Sequence, residues 1–206
     1  RWFTPDIEMD LCGHATLAAA HIIKSELNST DEIKFKTLSG DLSVHCKEDM
    51  YYLNLPSRKP LNGGLPNEIK SALSIQPKHI LKSRDYLLVY DNEQDIKALK
   101  IDRNSFDKIN LGHGGVIATA KGSDVDFVSR FFTPQSTILE DPVTGSAHCS
   151  LTPYWANILS KNNLVASQLS ERGGILYCEN KINRVIIGGQ AITYSKGQFR
   201  ILFKKK

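Results

Sequence analysis

The sequence predicts an α+β protein of two similar lobes, each a set of strands curled into a barrel around one central, apolar α-helix. Three observations lead there. First, one motif occurs twice: Arg1-Trp2-Phe3-Thr4-Pro5 leads to Gly13-His14-Ala15, and Arg130-Phe131-Phe132-Thr133-Pro134 leads to Gly145-Ser146-Ala147. The distance from Arg1 to Arg130 far exceeds the roughly 20–50-residue period of a solenoid, so the repeat means paired lobes. Second, each copy opens a helix that is apolar nearly all round, the pattern of a buried helix. Third, the rest of each half breaks into short strands separated by turn residues, which is the α+β arrangement.

Taken in order, the first helix is expected from about Gly13 to Lys24, Ala-rich at its start with Ile22 and Ile23 at its end. Strands follow at 32–37, 41–46 and 50–54, divided by the turns Ser39-Gly40 and Lys47-Glu48-Asp49. The segment 56–66 is a Pro/Gly loop. A short helix at 67–73, a strand at 86–90 and a polar helix at 91–99 complete the half. The pattern restarts around Ser105–His113, which sets the lobes at 1–109 and 110–206, with the last strand free to return to the first lobe. The second lobe has strands at 115–120 and 126–132, a helix from about Ser146 to Lys161, and strands at 165–169, 174–179 and 184–188. Two last strands are expected at 190–194 and 198–203.

The second copy is preceded by two strands, and the first is not. A lobe without its opening strands exposes a sheet edge and part of its core. The repeat therefore predicts residues upstream of Arg1 that supply those strands and carry chemistry of their own.

Composition narrows the function classes. The chain has 206 residues, 41% hydrophobic and 23% charged, the balance of an ordinary soluble globular protein. No apolar run approaches the roughly 20 residues of a membrane helix. The net charge is +4, and Lys204-Lys205-Lys206 supplies three of the positive charges. Without a basic stripe interleaved with aromatics, neither nucleic acid nor membrane is an expected partner. Cys12, Cys46, Cys149 and Cys178 are irregularly spaced with no Cys-x-x-Cys, which points to reduced thiols in a cytoplasmic protein. Asn28-Ser29-Thr30 matches a glycosylation sequon, which carries no meaning in the cytoplasm.

The candidate chemistry gathers at the two helix starts. A helix N-terminus offers unpaired N–H groups and partial positive charge, suited to a carboxylate or phosphate. Glycine at Gly13 and Gly145 lets a ligand approach the backbone, or lets the helix pack tightly; their occurrence in both copies favours the anion site. Asp141, four residues before Gly145, is a proton-handling carboxylate or an N-cap, and spacing alone favours the cap. His14 is an acid, a base, a hydrogen-bond donor or a structural ring, and Ser146 holds the equivalent position in the other copy. Cys12, at a helix start, is a candidate base or nucleophile. Its counterpart Thr144 is not, which argues against a symmetric two-thiol racemase. A zinc site of Cys12, His14, His148 and Cys149 has spacings that fit structural zinc poorly.

Together these motifs resemble the phenazine-biosynthesis PhzF-like isomerases. The resemblance rests on Arg1-Trp2-Phe3-Thr4-Pro5, Leu11-Cys12-Gly13-His14-Ala15-Thr16, Asp141-Pro142-Val143-Thr144-Gly145-Ser146-Ala147, Arg172-Gly173-Gly174 and Gly188-Gly189-Gln190-Ala191. It implies the diaminopimelate-epimerase-like fold, with the site in the cleft between lobes. It also implies roles for His14, Asp141 and Ser146. The family's principal acid/base is a glutamate before the first Arg-aromatic-Phe-Thr-Pro motif, and no residue here matches it. The 206 residues alone are therefore expected to be inactive.

The expected activity is a cofactor-independent isomerisation that moves a proton between carbons of a small carboxylate-bearing metabolite. Asp141 and His14 are the expected catalytic residues. Gly13, Ala15, Gly145, Ser146 and Ala147 are the expected substrate-binding residues. No metal or organic cofactor is implied, and a homodimer is left open. Two rivals stand beside this reading: a non-catalytic binding protein with the same cleft, and an epimerase that uses Cys12 as its one thiol base.

Overall fold

The structure is a computed structural model that describes residues 1–27, 32–198 and 200. The sequon 28–30, the strand expected at 198–203 and the lysine tail fall wholly or largely outside the described residues. The chain opens with β1 (Trp2–Phe3), β2 (Glu8–Met9) and α1 (Gly13–Leu27), then β3 (Glu32–Thr37), β4 (Gly40–Lys47), β5 (Met50–Pro56) and β6 (Leu61–Asn62). Next come α2 (Asn67–Ala72), β7 (His79–Lys82), β8 (Tyr86–Val89), α3 (Glu93–Ala98) and α4 (Arg103–Phe106). The remainder is β9 (Val116–Lys121), β10 (Phe127–Phe132), α5 (Gly145–Leu159), β11 (Asn163–Gln168), β12 (Gly174–Asn180) and β13 (Arg184–Gly189).

Local chemistry explains several boundaries. Between β3 and β4, Gly40 sits at φ +86°, a left-handed conformation that suits glycine. Asn92 caps α3, its side chain accepting from the Asp95 N–H at 3.0 Å, so the helix begins two residues after the expected Asp91. Inside α5, Pro153 has no N–H for the Cys149 carbonyl four residues back. That carbonyl accepts instead from the Arg58 backbone N–H at 2.8 Å, which ties the β5–β6 connection to the helix.

Apart from the small β1–β2 ribbon, the strands form one sheet in the order β3-β4-β5-β13-β12-β11-β10-β9-β8-β7-β6. Its neighbours are antiparallel except β10–β11 and β8–β9, which are parallel. The divide expected at 109/110 falls inside this sheet. β8, before it, pairs with β9, after it, in the register Tyr86↔Val116 to Val89↔Thr119. Likewise β13 returns to pair with β5, from Arg184↔Pro56 to Gly189↔Tyr51.

Two hydrophobic cores result. One joins α5 to β4, β5 and β10–β13, with Leu55, Phe127, Leu151 and Trp155 among its buried side chains. The other lies on the opposite face of β8–β10, under α2, α3 and α4, and includes Ile69, Ile96, Phe106 and Phe132. Covered on both faces, β8 reads as the continuous apolar run Tyr86-Leu87-Leu88-Val89 instead of an alternation. Nothing in the sequence pattern announces this second layer, and α4, β6 and β7 go unsignalled because two- to four-residue elements carry too little periodicity to register.

Two expectations are corrected. The segment 190–194, expected as a strand, is not one: it lies in irregular chain, with Ile192 and Tyr194 exposed. The first helix, expected to be buried all round, is not. α5 is buried along most of its length, whereas α1 buries only Gly13, Thr16 and Ala20 and leaves Ala18 and Ile22 exposed. α1 packs on β4, β5 and α5, and among the described residues no strand covers its other face. No helix among the described residues is long and apolar enough to cross a membrane.

Candidate active site

The N-termini of α1 and α5 meet backbone to backbone. A Cβ on Gly13 would lie 2.8 Å from the Gly145 Cα, and a Cβ on Gly145 would lie 3.0 Å from the Gly13 Cα. Both glycines are therefore needed for packing, and that packing brings two helix starts, with their free N–H groups and positive dipole ends, to one point. Of the two readings of these glycines, the geometry shows the tight packing directly. Gly145→Ala is expected to cost about 1–3 kcal/mol through overpacking, seen as a fall of several degrees in Tm by calorimetry. Gly64→Ala is the control, because nothing lies within 4 Å of a Cβ there.

The repeat motifs buttress this junction in parallel. Arg1 grips Glu8 with two hydrogen bonds, of 2.8 and 2.7 Å, and lies over the Phe3 ring. Arg130 grips Glu140 with two of 2.7 Å and lies over Phe132. The Thr4 and Thr133 N–H groups close turns of different length onto the repeat-equivalent Ile7 and Leu139 carbonyls, each at 2.9 Å. Each glutamate stands five residues before its helix glycine, which places Asp141 opposite Met9 and Thr144 opposite Cys12 in the repeat.

A cleft of about 520 Å³ opens over the junction. Cys12, Gly13, His14, Arg84, Asp141, Thr144, Gly145 and Ser146 line its polar end, and Phe3, Ile7, Met9, Leu111, Phe131 and Ile138 its apolar wall. His14 reaches across from α1, its Nδ1 3.3 Å from the Val143 carbonyl and its Nε2 3.5 Å from the Cys12 Sγ. The hydrogen bond to Cys12, then the charges on Cys12 and Asp141, raise the His14 imidazole to about 9 against the cost of partial burial. Burial raises the Asp141 carboxyl, opposed by the Thr144 hydroxyl and the positive charges of His14 and Arg172. Asp141 is not an N-cap: that position is Thr144, which makes no side-chain cap bond, and among the described residues the Asp141 carboxylate accepts only from the Thr144 hydroxyl, at 2.6 Å.

The family profile described as phenazine biosynthesis-like protein matches residues 1–197. The chain belongs to the phenazine biosynthesis-like protein family. A relative in Pseudomonas aeruginosa, named an uncharacterized isomerase, is 44% identical over 203 residues, covering 98% of this chain and 77% of its own. The solved structure of a PhzF-family phenazine biosynthesis protein of Enterococcus faecalis superposes with a TM-score of 0.88 at 43% identity, over 98% of this chain and 77% of that one. A hydroxyproline epimerase of Agrobacterium vitis shares the fold at 12% identity, with a TM-score of 0.59 over 93% of this chain and 67% of that one. The fold is the expected α+β, diaminopimelate-epimerase-like one, and the family is one of isomerases.

On this family scaffold the structure brings Gly13, His14, Asp141, Gly145 and Ser146 to one cleft end, with Cys12 beside them. Ala15 and Ala147 do not line the cleft; Ala147 is part of the core. His148 and Cys149 are buried in α5, away from Cys12 and His14. Among the described residues, no group of three or more His, Cys, Asp or Glu side chains is placed to hold a metal ion.

Sequence reasoning missed the charged base of the site. Arg84, just before β8, donates to Ser146 Oγ at 3.0 Å, to Asp10 at 3.0 Å and, with two nitrogens, to Asp85 at 3.1 and 2.9 Å. Arg58 adds a 2.8 Å bond to Asp10, and Asp85, fully buried, also accepts the Gly115 N–H at 2.9 Å. Asp85 is the sequence neighbour of Arg84, but Asp10 and Ser146 stand 74 and 62 residues away, so no spacing signal announced the cluster.

His148 predicts a pH response. Its Nδ1 donates to the Thr144 carbonyl at 2.8 Å, its Nε2 has no partner among the described residues, and burial lowers it from 6.5 to about 4. Between those values the unfolded chain binds the proton and the folded one does not. His148 is therefore expected to contribute a loss of stability of about 3 kcal/mol as pH drops from 6.5 towards 4, opposed by Asp85 and Asp141, whose raised carboxyls take up protons more readily in the folded state. Asp10 and Asp126, held below the ordinary carboxylate range, lose their partners only below this window. Urea unfolding at pH 7 and 4.5 checks the slope, which His148→Gln should flatten.

Proposed function

We propose that the cleft binds a small metabolite by its carboxylate and moves a proton between two of its carbons, with no metal or organic cofactor. The observation that carries this reading is the convergence of two helix N-termini on a cleft that also holds Asp141, a carboxyl raised by burial. The substrate carboxylate rests on N–H groups at Gly13 and Gly145, with Ser146 as a further donor. The apolar wall of Phe3, Ile7, Leu111 and Ile138 takes the body of the substrate. One C–H bond breaks and another forms, the double bond shifts between them, and no electrons are gained or lost. Asp141, its carboxyl raised by burial, gives or takes the proton, and cationic His14 stabilises the charge that develops. Enclosure keeps solvent from quenching the carbanion-like intermediate.

The test is solvent-deuterium uptake by a panel of amino, hydroxy and unsaturated carboxylates, read by mass spectrometry. It is run on the protein as its gene encodes it. Uptake into one carboxylate and none into its amide is the expected result. Binding without uptake in either form would instead establish the non-catalytic binder.

One observation favours a second reading. Cys12 Sγ lies 3.5 Å from His14 Nε2 in the same cleft, a contact suited to a thiol base in an epimerase. Under that reading Cys12→Ser abolishes exchange and alkylation of Cys12 is blocked by substrate; under the carboxylate reading Cys12→Ser retains most of it.

A further inference from the structure

The Asp141 carboxylate is held by a chain of hydrogen bonds that runs in one direction only. Gln168, at the end of β11, is 1% exposed. Its Oε1 accepts from the Thr144 N–H at 2.7 Å, and its Nε2 donates to the Asp141 carbonyl at 2.7 Å and to Thr144 Oγ1 at 3.1 Å. Turning the amide over would set an NH2 group against an N–H and an oxygen against a carbonyl, so its orientation is fixed. The Thr144 hydroxyl thus accepts from Gln168, and its single proton goes to Asp141 Oδ2 at 2.6 Å. The other oxygen, Oδ1, accepts no hydrogen bond among the described residues, and Asp141 lines the cleft.

We propose that Gln168 is a positioning residue that acts through Thr144: it anchors one oxygen of Asp141 and leaves the other to exchange protons with a ligand in the cleft. The inference rests on the reading of Asp141 as a proton-handling group. A buried carboxyl free to rotate offers either oxygen in either protonation state. One oxygen tied to an obligatory donor leaves a single oxygen for the proton, and that donor favours the ionised form. The charges that face Asp141 are His14 from the start of α1 and Arg172 from the turn before β12; the adjacent Glu140 is tied to Arg130. Neither His14 nor Arg172 is bonded to Gln168 or Thr144, so the relay and the charges are separable by mutation.

The experiment follows the Asp141 carboxyl carbon by 13C NMR through a pH titration of this chain, so that it stands apart from any assay of turnover. Thr144→Val removes the donor and should raise the titration midpoint by about one pH unit; Thr144→Ser should restore it. Gln168→Glu replaces the donating NH2 with an oxygen, which draws the Thr144 proton away from Asp141. It should raise the midpoint more in the natural protein than in the Thr144→Val background. If Thr144→Val does not fold, Thr144→Ala, which also lacks the hydroxyl and adds no bulk, carries the same comparison. An unchanged midpoint without the hydroxyl, or an equal effect of Gln168→Glu in both backgrounds, would overturn the relay. A relay confirmed by NMR in a protein without exchange activity would uphold this inference and refute the catalytic reading.

Discussion

Asp141→Asn is expected to leave the protein folded and to lower solvent-deuterium exchange by about 10²–10⁴-fold, the usual loss on removing a general acid or base. Asparagine has the same shape, and its carbonyl oxygen can accept the Thr144 hydroxyl that Asp141 Oδ2 now accepts. It also relieves the burial that raises the carboxyl, so the stability change should be small. What it cannot do is give up or take a proton. The loss should therefore fall mainly on kcat, with little change in KM, if the substrate carboxylate is held at the helix starts as proposed and not by Asp141. Asp141→Ser is the companion variant and should behave alike in rate. Exchange that survives both substitutions would remove Asp141 from the chemistry and direct attention to Cys12.

The second large effect belongs to stability. Asp85→Ala is expected to destabilise the protein by about 3–5 kcal/mol, the cost of leaving a buried charge without its partner. Asp85 has no exposed surface, and its carboxylate meets two nitrogens of Arg84 and the Gly115 N–H. Burial pushes the carboxyl up, and the Arg84 guanidinium and the Gly115 N–H pull it back down in part. Without it, the guanidinium retains only Asp10 and Ser146. For a chain of this size the loss corresponds to roughly 10 °C in Tm. Replacing both partners, Arg84→Met with Asp85→Leu, should cost less than Asp85→Ala alone, since no orphaned charge remains. A double variant no more stable than the single one would show that Arg84 matters for its bond to Ser146 more than for charge balance.

The fold was legible wherever the chain repeats or alternates. The paired Arg-aromatic-Phe-Thr-Pro motifs revealed the duplication, and α1, α5 and the strands β3–β5 and β9–β13 stood out through period and turn residues. The helix layer of α2, α3 and α4 was missed as a layer because each member is six residues or fewer. In the site, Gly13, His14, Asp141, Gly145 and Ser146 were found because each sits in a helix-start motif. Ala15 and Ala147 were carried along by those motifs, although only the first residues of each helix reach the cleft. Arg84, Asp85 and Gln168 were invisible: their distant partners Asp10, Ser146, Gly115, Asp141 and Thr144 come close only in the folded sheet, and a lone arginine beside a strand or glutamine on one looks like any other.

The pairing of β13 with β5 has a consequence for how such a protein can evolve. Its two copies do not sit side by side as exchangeable modules; the tail of one is stitched into the edge of the other along six residue pairs. A cut at 109/110 would yield fragments that each lack a neighbour for an inner strand, so the halves should be recoverable together and insoluble apart. Once interlaced in this way, an ancestral duplicate can no longer lose or swap a half by recombination. Drift is then confined to single positions, and symmetry is broken one residue at a time: methionine against aspartate at 9 and 141, cysteine against threonine at 12 and 144, histidine against serine at 14 and 146. The lopsided cleft is the record of that process.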